Sequence, residues 1–190
     1  MRICLNDVTF RTRWMRTRFP FRYGIAAMTE LPHVFLSAKV MIDGEEIVGL
    51  ASEGLPPKWF TKNPETTFEQ DLPEMLQVIE KAVEFGRVVE EATVFAWWQN
   101  VYSKQDAWAD SNDVPPLLAH LGTSLIERAI IDAVCRFGSS SFAEAVKDNI
   151  LGIDLGEIHS ELAGTEPSDS IRVVNALLTQ LDRCVNFSKH

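Results

Sequence analysis

Residue types that can carry catalysis are present in this chain, but none has the spacing that a familiar chemistry requires. The four histidines stand singly, at His33, His120, His159 and His190. No His-x-x-x-His pair would place two imidazoles on one helical face to bind zinc. The serines at 139–141 lack the Gly-x-Ser-x-Gly turn that exposes a nucleophile, so a helix N-cap is the expected role. We therefore predict no catalytic residue.

The acidic residues give no better candidate. Glu157-x-His159-x-Glu161 could offer three metal ligands only from an extended strand, and the segment has no other feature of a strand. The adjacent pairs Glu45-Glu46 and Glu90-Glu91 should diverge in direction, unlike the facing carboxylates of general acid and base catalysis. Phosphate loops and dinucleotide fingerprints are also missing from the sequence. We predict no metal ligand and no cofactor in this chain.

The densest charged feature is a run of five arginines within twelve positions. The run consists of Arg11, Arg13, Arg16, Arg18 and Arg22. These guanidinium groups could bind an anionic ligand or form ion pairs with acidic residues of the chain. Alternatively, they form a solvated basic face without a function, which is common in proteins. The formal net charge of −9 argues against nucleic acid as a partner.

Composition places the chain among ordinary globular proteins. Apolar residues make up 46% and charged residues 24% of the 190 positions, enough for a core without disulfides. Cys4, Cys135 and Cys184 are far apart and odd in number, which indicates free thiols in a reducing compartment. No apolar run is long enough to span a bilayer, and the first residues lack the apolar core of a signal peptide. We predict a cytoplasmic protein without a membrane partner.

The first third of the chain predicts a three-stranded antiparallel meander. Apolar residues alternate with polar ones over 34–42, Asp43-Gly44 suits a tight turn, and a second strand follows at 46–53. An earlier strand is expected over 3–13. The prediction leaves two loops: a long aromatic and basic loop over 16–33, and a Pro-containing loop over 54–60.

Helical periodicity begins after Pro64. The first helix should follow a capping box formed by Asp71 and Glu74, and the second should begin near Thr93 and hold Trp97 and Trp98 in the core. The clearest amphipathic helix covers 123–137 and ends at Gly138, a short helix lies within 139–149, and a last one covers 168–185. The predicted fold class is α+β, a three-stranded antiparallel meander followed by a helical bundle. The domain would cover 1–150, with 151–190 as a connection and a C-terminal helix.

Three segments resemble the N-terminal capping domain of the enolase superfamily, of the mandelate racemase and muconate lactonizing type. Ile126-Glu127, Ala129 and Asp132 match a helix pattern Ile-Glu-x-Ala-Leu-x-Asp, with Gly138 beyond it. Phe21-Arg22-Tyr23-Gly24 is similar to the start of the mobile first loop of that domain. The stretch 49–53 resembles its Gly-x-Gly-Glu strand end, with Ala51 in place of the second glycine. The resemblance covers about residues 1–150.

The resemblance implies that the first loop and the loop after the third strand shape a substrate pocket. By position, the implied substrate contacts are Phe19, Arg22, Tyr23, Lys58 and Trp59. The family's chemistry is proton abstraction next to a carboxylate with Mg²⁺ stabilising the enediolate, and those groups sit on a barrel. A barrel takes about 250 residues, whereas 40 follow residue 150.

The expectation from the resemblance is a capping-domain fragment of a Mg²⁺-dependent isomerase or lyase, inactive alone. It would be a truncated or frame-shifted product, or a cap that works with a barrel-bearing chain or as a homo-oligomer on a small carboxylate substrate. The competing hypothesis is a non-catalytic binding module. That module would hold a small carboxylate or a partner protein through the basic aromatic stretch 11–23.

Overall fold

A computed structural model describes residues 1–24 and 26–169. The chain divides into two compact units, Met1–Ser139 and Ser140–His190, and each has its own internal packing. The predicted C-terminal helix over 168–185 lies outside the described residues except for its first two positions. No helix among the described residues has the length and apolar character needed to cross a membrane.

The first unit contains one antiparallel sheet. Its strands are β1 (Ile3–Tyr23), β2 (Ala26–Ile42), β3 (Glu45–Gly54) and the two-residue β4 (Glu90–Glu91), in the order β3-β2-β1-β4. The α+β class and the meander β1-β2-β3 are confirmed, and β4 is an addition. Alternate residues of β2, from Val34 to Ile42, are buried, and this face of the sheet supports the core.

The prediction of a long loop over 16–33 is wrong, because this stretch forms the end of β1 and the beginning of β2. β1 and β2 pair as one extended hairpin, with Arg16 opposite Glu30 and Tyr23 opposite Ala26, and the register shifts between Arg16 and Phe21. The outer part of β1 is exposed on both faces, so its residues have no apolar–polar alternation to reveal a strand. Gly24 has a φ of +49°, which suits the turn.

Three helices complete the first unit. They are α1 (Phe68–Arg87), α2 (Val94–Ser111) and α3 (Pro116–Phe137). The capping box of α1 is formed by Thr67 and Gln70, four residues before the predicted one, since the Gln70 side chain accepts a hydrogen bond from the Thr67 amide. Thr93 caps α2 as predicted, with its hydroxyl accepting from the Ala96 amide.

Helix α3 starts seven residues before the predicted position, because Pro116 occupies its first turn, where a missing N–H costs nothing. Its end at Gly138 is as predicted. Of the tryptophan pair expected in the core, Trp97 is fully buried and Trp98 is half-buried.

Two glycines let the backbone of α3 pack directly against the backbones of β3 and α1. A Cβ on Gly49 of β3 would lie 1.9 Å from the Ala129 carbonyl oxygen, and a Cβ on Gly122 would lie 2.1 Å from the Val78 carbonyl oxygen of α1. Any side chain at either position would force the elements apart. Helix α3 is therefore wedged between the sheet and α1.

Polar side chains of α3 also cover the free edge of β3. The Leu50 amide donates to the Asp132 carboxylate at 2.8 Å, and Arg128 donates to the Ser52 carbonyl at 2.9 Å and to the Glu53 carboxylate at 2.7 Å. An uncovered edge strand presents unpaired backbone groups that attract other chains. In this chain α3 binds two of these groups, the Leu50 N–H and the Ser52 carbonyl.

A buried amide joins the three helices. Gln105 of α2 is completely buried, and its side-chain nitrogen donates at 2.9 Å to the carbonyls of Val78 in α1 and Ala119 in α3. Buried donors that are satisfied fix the relative position of the elements that carry their acceptors.

The second unit begins with α4 (Phe142–Lys147), followed by two short 3-10 turns, Leu155–Glu157 and Ser160–Leu162. Ser141 caps α4: its hydroxyl accepts from the Glu144 amide, and the Glu144 carboxylate accepts from the Ser141 amide at 2.8 Å. The predicted N-cap role for this serine run is thus confirmed at Ser141, as is the short helix.

Glu127 on α3 generates a prediction about pH. Burial raises the pKa of its carboxyl to about 7, against the opposing effect of the Arg128 charge. The folded state therefore binds a proton that the unfolded state releases, and stability falls as the pH rises toward 7. Glu127→Gln should raise the free energy of unfolding at pH 8 by roughly 2 kcal/mol, and by less at pH 5. Urea unfolding at both pH values measures this.

The exposed Glu80 of α1 provides the control, because Glu80→Gln changes the net charge equally without touching a buried carboxyl. It should leave the difference in stability between the two pH values nearly unchanged. An identical response of both variants would show that overall charge, and not burial of Glu127, sets the pH dependence.

Candidate functional site

Three of the five predicted substrate contacts surround one pocket in the first unit. This turn pocket is a cavity of about 400 Å³. It is lined by Tyr23, Gly24, Lys58, Trp59, Lys62 and Leu117. The lining comes from the β1–β2 turn, the loop after β3 and the first turn of α3, so three separate parts of the sequence build it.

Tyr23 connects the hairpin turn to the loop after β3. Its hydroxyl donates to the Pro57 carbonyl at 2.5 Å, and its ring meets the Trp59 ring edge-on at a centroid distance of 5.5 Å. Burial raises the pKa of the phenol further above neutral pH. The two segments predicted as separate loops are therefore held together by one side chain.

Lys58 lines the pocket, but its ammonium group is engaged elsewhere. The Nζ atom lies 2.7 Å from the Asp71 carboxylate, whose side chain is only 1% exposed, and 2.6 Å from the Thr66 hydroxyl. The predicted capping role of Asp71 is wrong, because this carboxylate points to Lys58 and not to a backbone amide. The pair fixes the loop after β3 to the first turn of α1.

Lys62 and Leu117 belong to the pocket and were not predicted. Lys62 is exposed and has no ion-pair partner among the described residues. Leu117 is 55% exposed in the first turn of α3. Lys62 lies three positions after Trp59 in the same loop, so the sequence alone could have suggested it as a pocket residue. Leu117 could not be found in this way, because it reaches the pocket only through the packing of α3.

Phe19 and Arg22 do not line the turn pocket. Phe19 is 70% exposed on β1, with the Arg18 guanidinium 5.4 Å from the centre of its ring. Arg22 is exposed and lies opposite Ala27 in the hairpin. Their role as substrate contacts stays a prediction.

The lining of the turn pocket combines aromatic, aliphatic and cationic side chains. Its walls offer the rings of Tyr23 and Trp59, the aliphatic side chain of Leu117 and the exposed ammonium group of Lys62. Within residues 1–24 and 26–169, no group of three or more His, Cys, Asp or Glu side chains could hold a metal ion.

No protein-family model and no curated protein matches this sequence. Solved structures do match, at 12 to 14% identity. An enolase from the alphaproteobacterium BAL199, solved with bound Mg, is 14% identical with a TM-score of 0.49, over 72% of this chain and 32% of that one. An enolase from Bradyrhizobium, complexed with magnesium and mandelic acid, is also 14% identical with a TM-score of 0.49, over 76% and 34%.

A mandelate racemase/muconate lactonizing enzyme-like protein from Rubrobacter xylanophilus is 12% identical, with a TM-score of 0.49, over 76% of this chain and 33% of that one. The chain thus spans about a third of the length of the solved structures that it matches.

The Lys58–Asp71 ion pair gives a prediction about stability. Removing one partner of a buried pair leaves the other charge uncompensated, so Asp71→Asn and Lys58→Met should each lower the free energy of unfolding by about 3 kcal/mol. The double variant should lose at least about 1 kcal/mol less than the sum, because neither charge is then left alone. Urea unfolding of the unmodified chain, the two single variants and the double variant measures this coupling as a double-mutant cycle.

The exposed pair Lys81–Glu84 on α1 is the matched control, with its Nζ–O distance of 2.6 Å. Its coupling energy should stay under about 0.5 kcal/mol. Additive effects of the Asp71 and Lys58 substitutions would mean that the pair does not form in solution.

Proposed function

We propose that this chain acts as a capping module of the enolase-superfamily type, and that the turn pocket forms part of a substrate-binding wall. The catalytic groups and Mg²⁺ of such an enzyme would be held by a barrel-bearing polypeptide. No catalytic residue is assigned to this chain.

The contact between Tyr23 and Pro57 carries the proposal. In the capping domain that the sequence resembles, the first loop and the loop after the third strand together face the substrate. In this chain the turn after β1 and the loop after β3 are joined by the 2.5 Å hydrogen bond and by the Tyr23–Trp59 ring contact. A pocket opens beside that junction.

The other resemblance-bearing segments support the proposal through their mutual contacts. The helix segment 126–132 contributes Arg128 and Asp132, which bind Glu53 and the Leu50 amide of the strand end 49–53. Gly49 in that strand end lies directly against Ala129 of the helix. Two of the three matched segments therefore pack against each other, which supports the proposal.

The second candidate is a binding module that uses the hairpin arm, which we define as residues 11–23. The five arginines of the arm are all exposed, and of these only Arg16 has a carboxylate partner among the described residues, Glu30 at 3.2 Å. Trp14 and Phe19 are 57% and 70% exposed on the same strand. Such a surface could hold an acidic partner without any reaction.

The capping proposal is tested with the barrel that it requires. Genomic sequence on both sides of the coding region, or elsewhere in the genome, should encode a barrel with a set of acidic metal ligands. Co-expressed with that barrel, this chain should be needed for Mg²⁺-dependent exchange of the α-proton of a carboxylate substrate for deuterium, followed by NMR.

Trp59→Ala should then raise the KM for the substrate about tenfold, because an aromatic contact in the pocket is worth about 1 to 2 kcal/mol. Val88→Ala, at an exposed residue beyond α1, is the control and should not change KM. If no barrel is encoded, or if the barrel is equally active without this chain, the capping proposal fails. Loss of partner binding on replacing the arginines would favour the second candidate.

A further inference from the structure

We propose that the open edge of β1 binds an extended segment of a partner protein as an additional strand of the sheet. The segment has acidic and apolar residues in alternation. The inference does not depend on the capping proposal. It rests on the second candidate, and it gives the hairpin arm a mode of binding and a partner of stated chemistry.

The two edges of the sheet differ in how they are covered. At the β3 edge, α3 binds the Leu50 amide and the Ser52 carbonyl. On the opposite side of the sheet, β4 pairs only with Ile3 and Cys4 of β1, and no other strand among residues 1–24 and 26–169 lies there. We define the β1 edge as residues 7–16, which pair with β2 without a shift of register. Its other side presents unpaired backbone groups, to which a strand can be added.

Side chains of the β1 edge are accessible on both faces of the sheet, since every residue from 9 to 16 is exposed. Phe10, Thr12 and Trp14 lie opposite buried residues of β2 and therefore on the face that carries the helices. Arg11 and Arg13 alternate with them and lie on the other face. An added strand would thus meet aromatic groups on one face and guanidinium groups on the other.

The helix side of the β1 edge offers an apolar groove. A cavity of about 230 Å³ is lined by Phe10, Thr12, Val34, Leu76, Ile79 and Glu80. Phe10 and Leu76 are 41% and 39% exposed, and Trp14 extends the groove through its edge contact with the Phe68 ring at 6.4 Å. Apolar side chains of an added strand would remove this surface from water. Glu80 would repel an acidic side chain on this face.

The opposite face sets the charge of the partner. Arg11 and Arg13 are exposed and have no carboxylate partner among the described residues. Residues directly opposite each other on neighbouring strands lie close enough for their charges to interact. Acidic residues two positions apart on the added strand would therefore meet both arginines. Together the two faces favour a segment in which acidic and apolar residues alternate.

A second copy of β1 does not have this chemistry. The stretch 9–16 contains three arginines and no acidic residue. Pairing of two such edges would place guanidinium groups opposite one another, which is unfavourable. The charges of the β1 edge therefore disfavour self-association and favour an acidic strand.

The test uses the whole isotope-labelled chain and a peptide of about ten residues in which Glu and Val alternate. The peptide should bind at concentrations up to about 1 mM. Hydrogen exchange followed by NMR should then slow at every second amide of the β1 edge, since alternate amides point to the open side. A control peptide of the same composition carries all Glu in one half and all Val in the other. It should bind about tenfold more weakly, because it cannot place its carboxylates on one face.

Methylation of the peptide backbone separates strand addition from attraction between charges. N-methyl groups on one alternate set of amides point toward β1 and should abolish binding up to about 1 mM. On the other set they point away from β1 and should change the affinity by less than about twofold.

Arginine variants locate the binding surface. Arg11→Gln combined with Arg13→Gln should weaken binding of the alternating peptide about tenfold, because each exposed charge pair contributes about threefold. The matched control is Arg18→Gln combined with Arg22→Gln, which removes the same charge within and beyond the register shift of β1. It should weaken binding by less than about twofold. All four arginines are exposed, so neither double variant should impair folding.

Four results would overturn the inference: no binding of the alternating peptide, equal binding of the control peptide, insensitivity to both patterns of methylation, or equal losses in the two double variants. Protection of the β1 edge that rises with chain concentration, without peptide, would identify a second copy as the occupant and also overturn it. Loss that depends on the arginines but not on methylation would retain the second candidate and reject strand addition. The capping proposal is tested with its barrel, so its failure is separate from these outcomes.

Discussion

The close approach of α3 to β3 is the contact on which the rest of the first unit depends. Only a glycine at position 49 lets the helix backbone reach the strand, since a Cβ there would lie 1.9 Å from the Ala129 carbonyl oxygen. At that distance Asp132 and Arg128 can bind the exposed edge of β3. The same helix begins with Leu117 at the turn pocket, so its docking on the strand also places one wall of the candidate site.

Polar groups inside the unit have two different effects. Gln105 and the Lys58–Asp71 pair connect elements that apolar packing alone would leave free to slide. Glu127 is half-buried, no comparable partner lies among the described residues, and the cost of burying its charge is expressed as the raised pKa. The hydrogen bonds of Gln105 and the Lys58–Asp71 pair therefore fix the relative positions of the elements, whereas the Glu127 carboxylate lowers the stability of the fold at neutral pH.

The sequence predicts much of the fold but only part of the site. The alternation of apolar and polar residues in β2 and the apolar face of α3 can be read from the sequence because one side of each element is buried. The outer part of β1 is exposed on both sides, so its sequence shows no apolar–polar period. Tyr23, Lys58 and Trp59 were predicted from a family resemblance and meet at one pocket. The pairing of Lys58 with Asp71 and the placement of Leu117 could not be predicted, because both depend on how α1 and α3 pack.

The docking of α3 on the edge of β3 is tested most directly by hydrogen exchange at the Leu50 amide, measured by NMR. Among residues 1–24 and 26–169 this amide has no strand partner at the sheet edge, so its protection reports the Asp132 carboxylate that accepts from it at 2.8 Å. We predict exchange as slow as that of core amides of β2, and fast exchange at Leu50 in Asp132→Ala while β2 stays protected. Fast exchange of Leu50 in the unmodified chain, at the rate of an exposed edge, would contradict this docking.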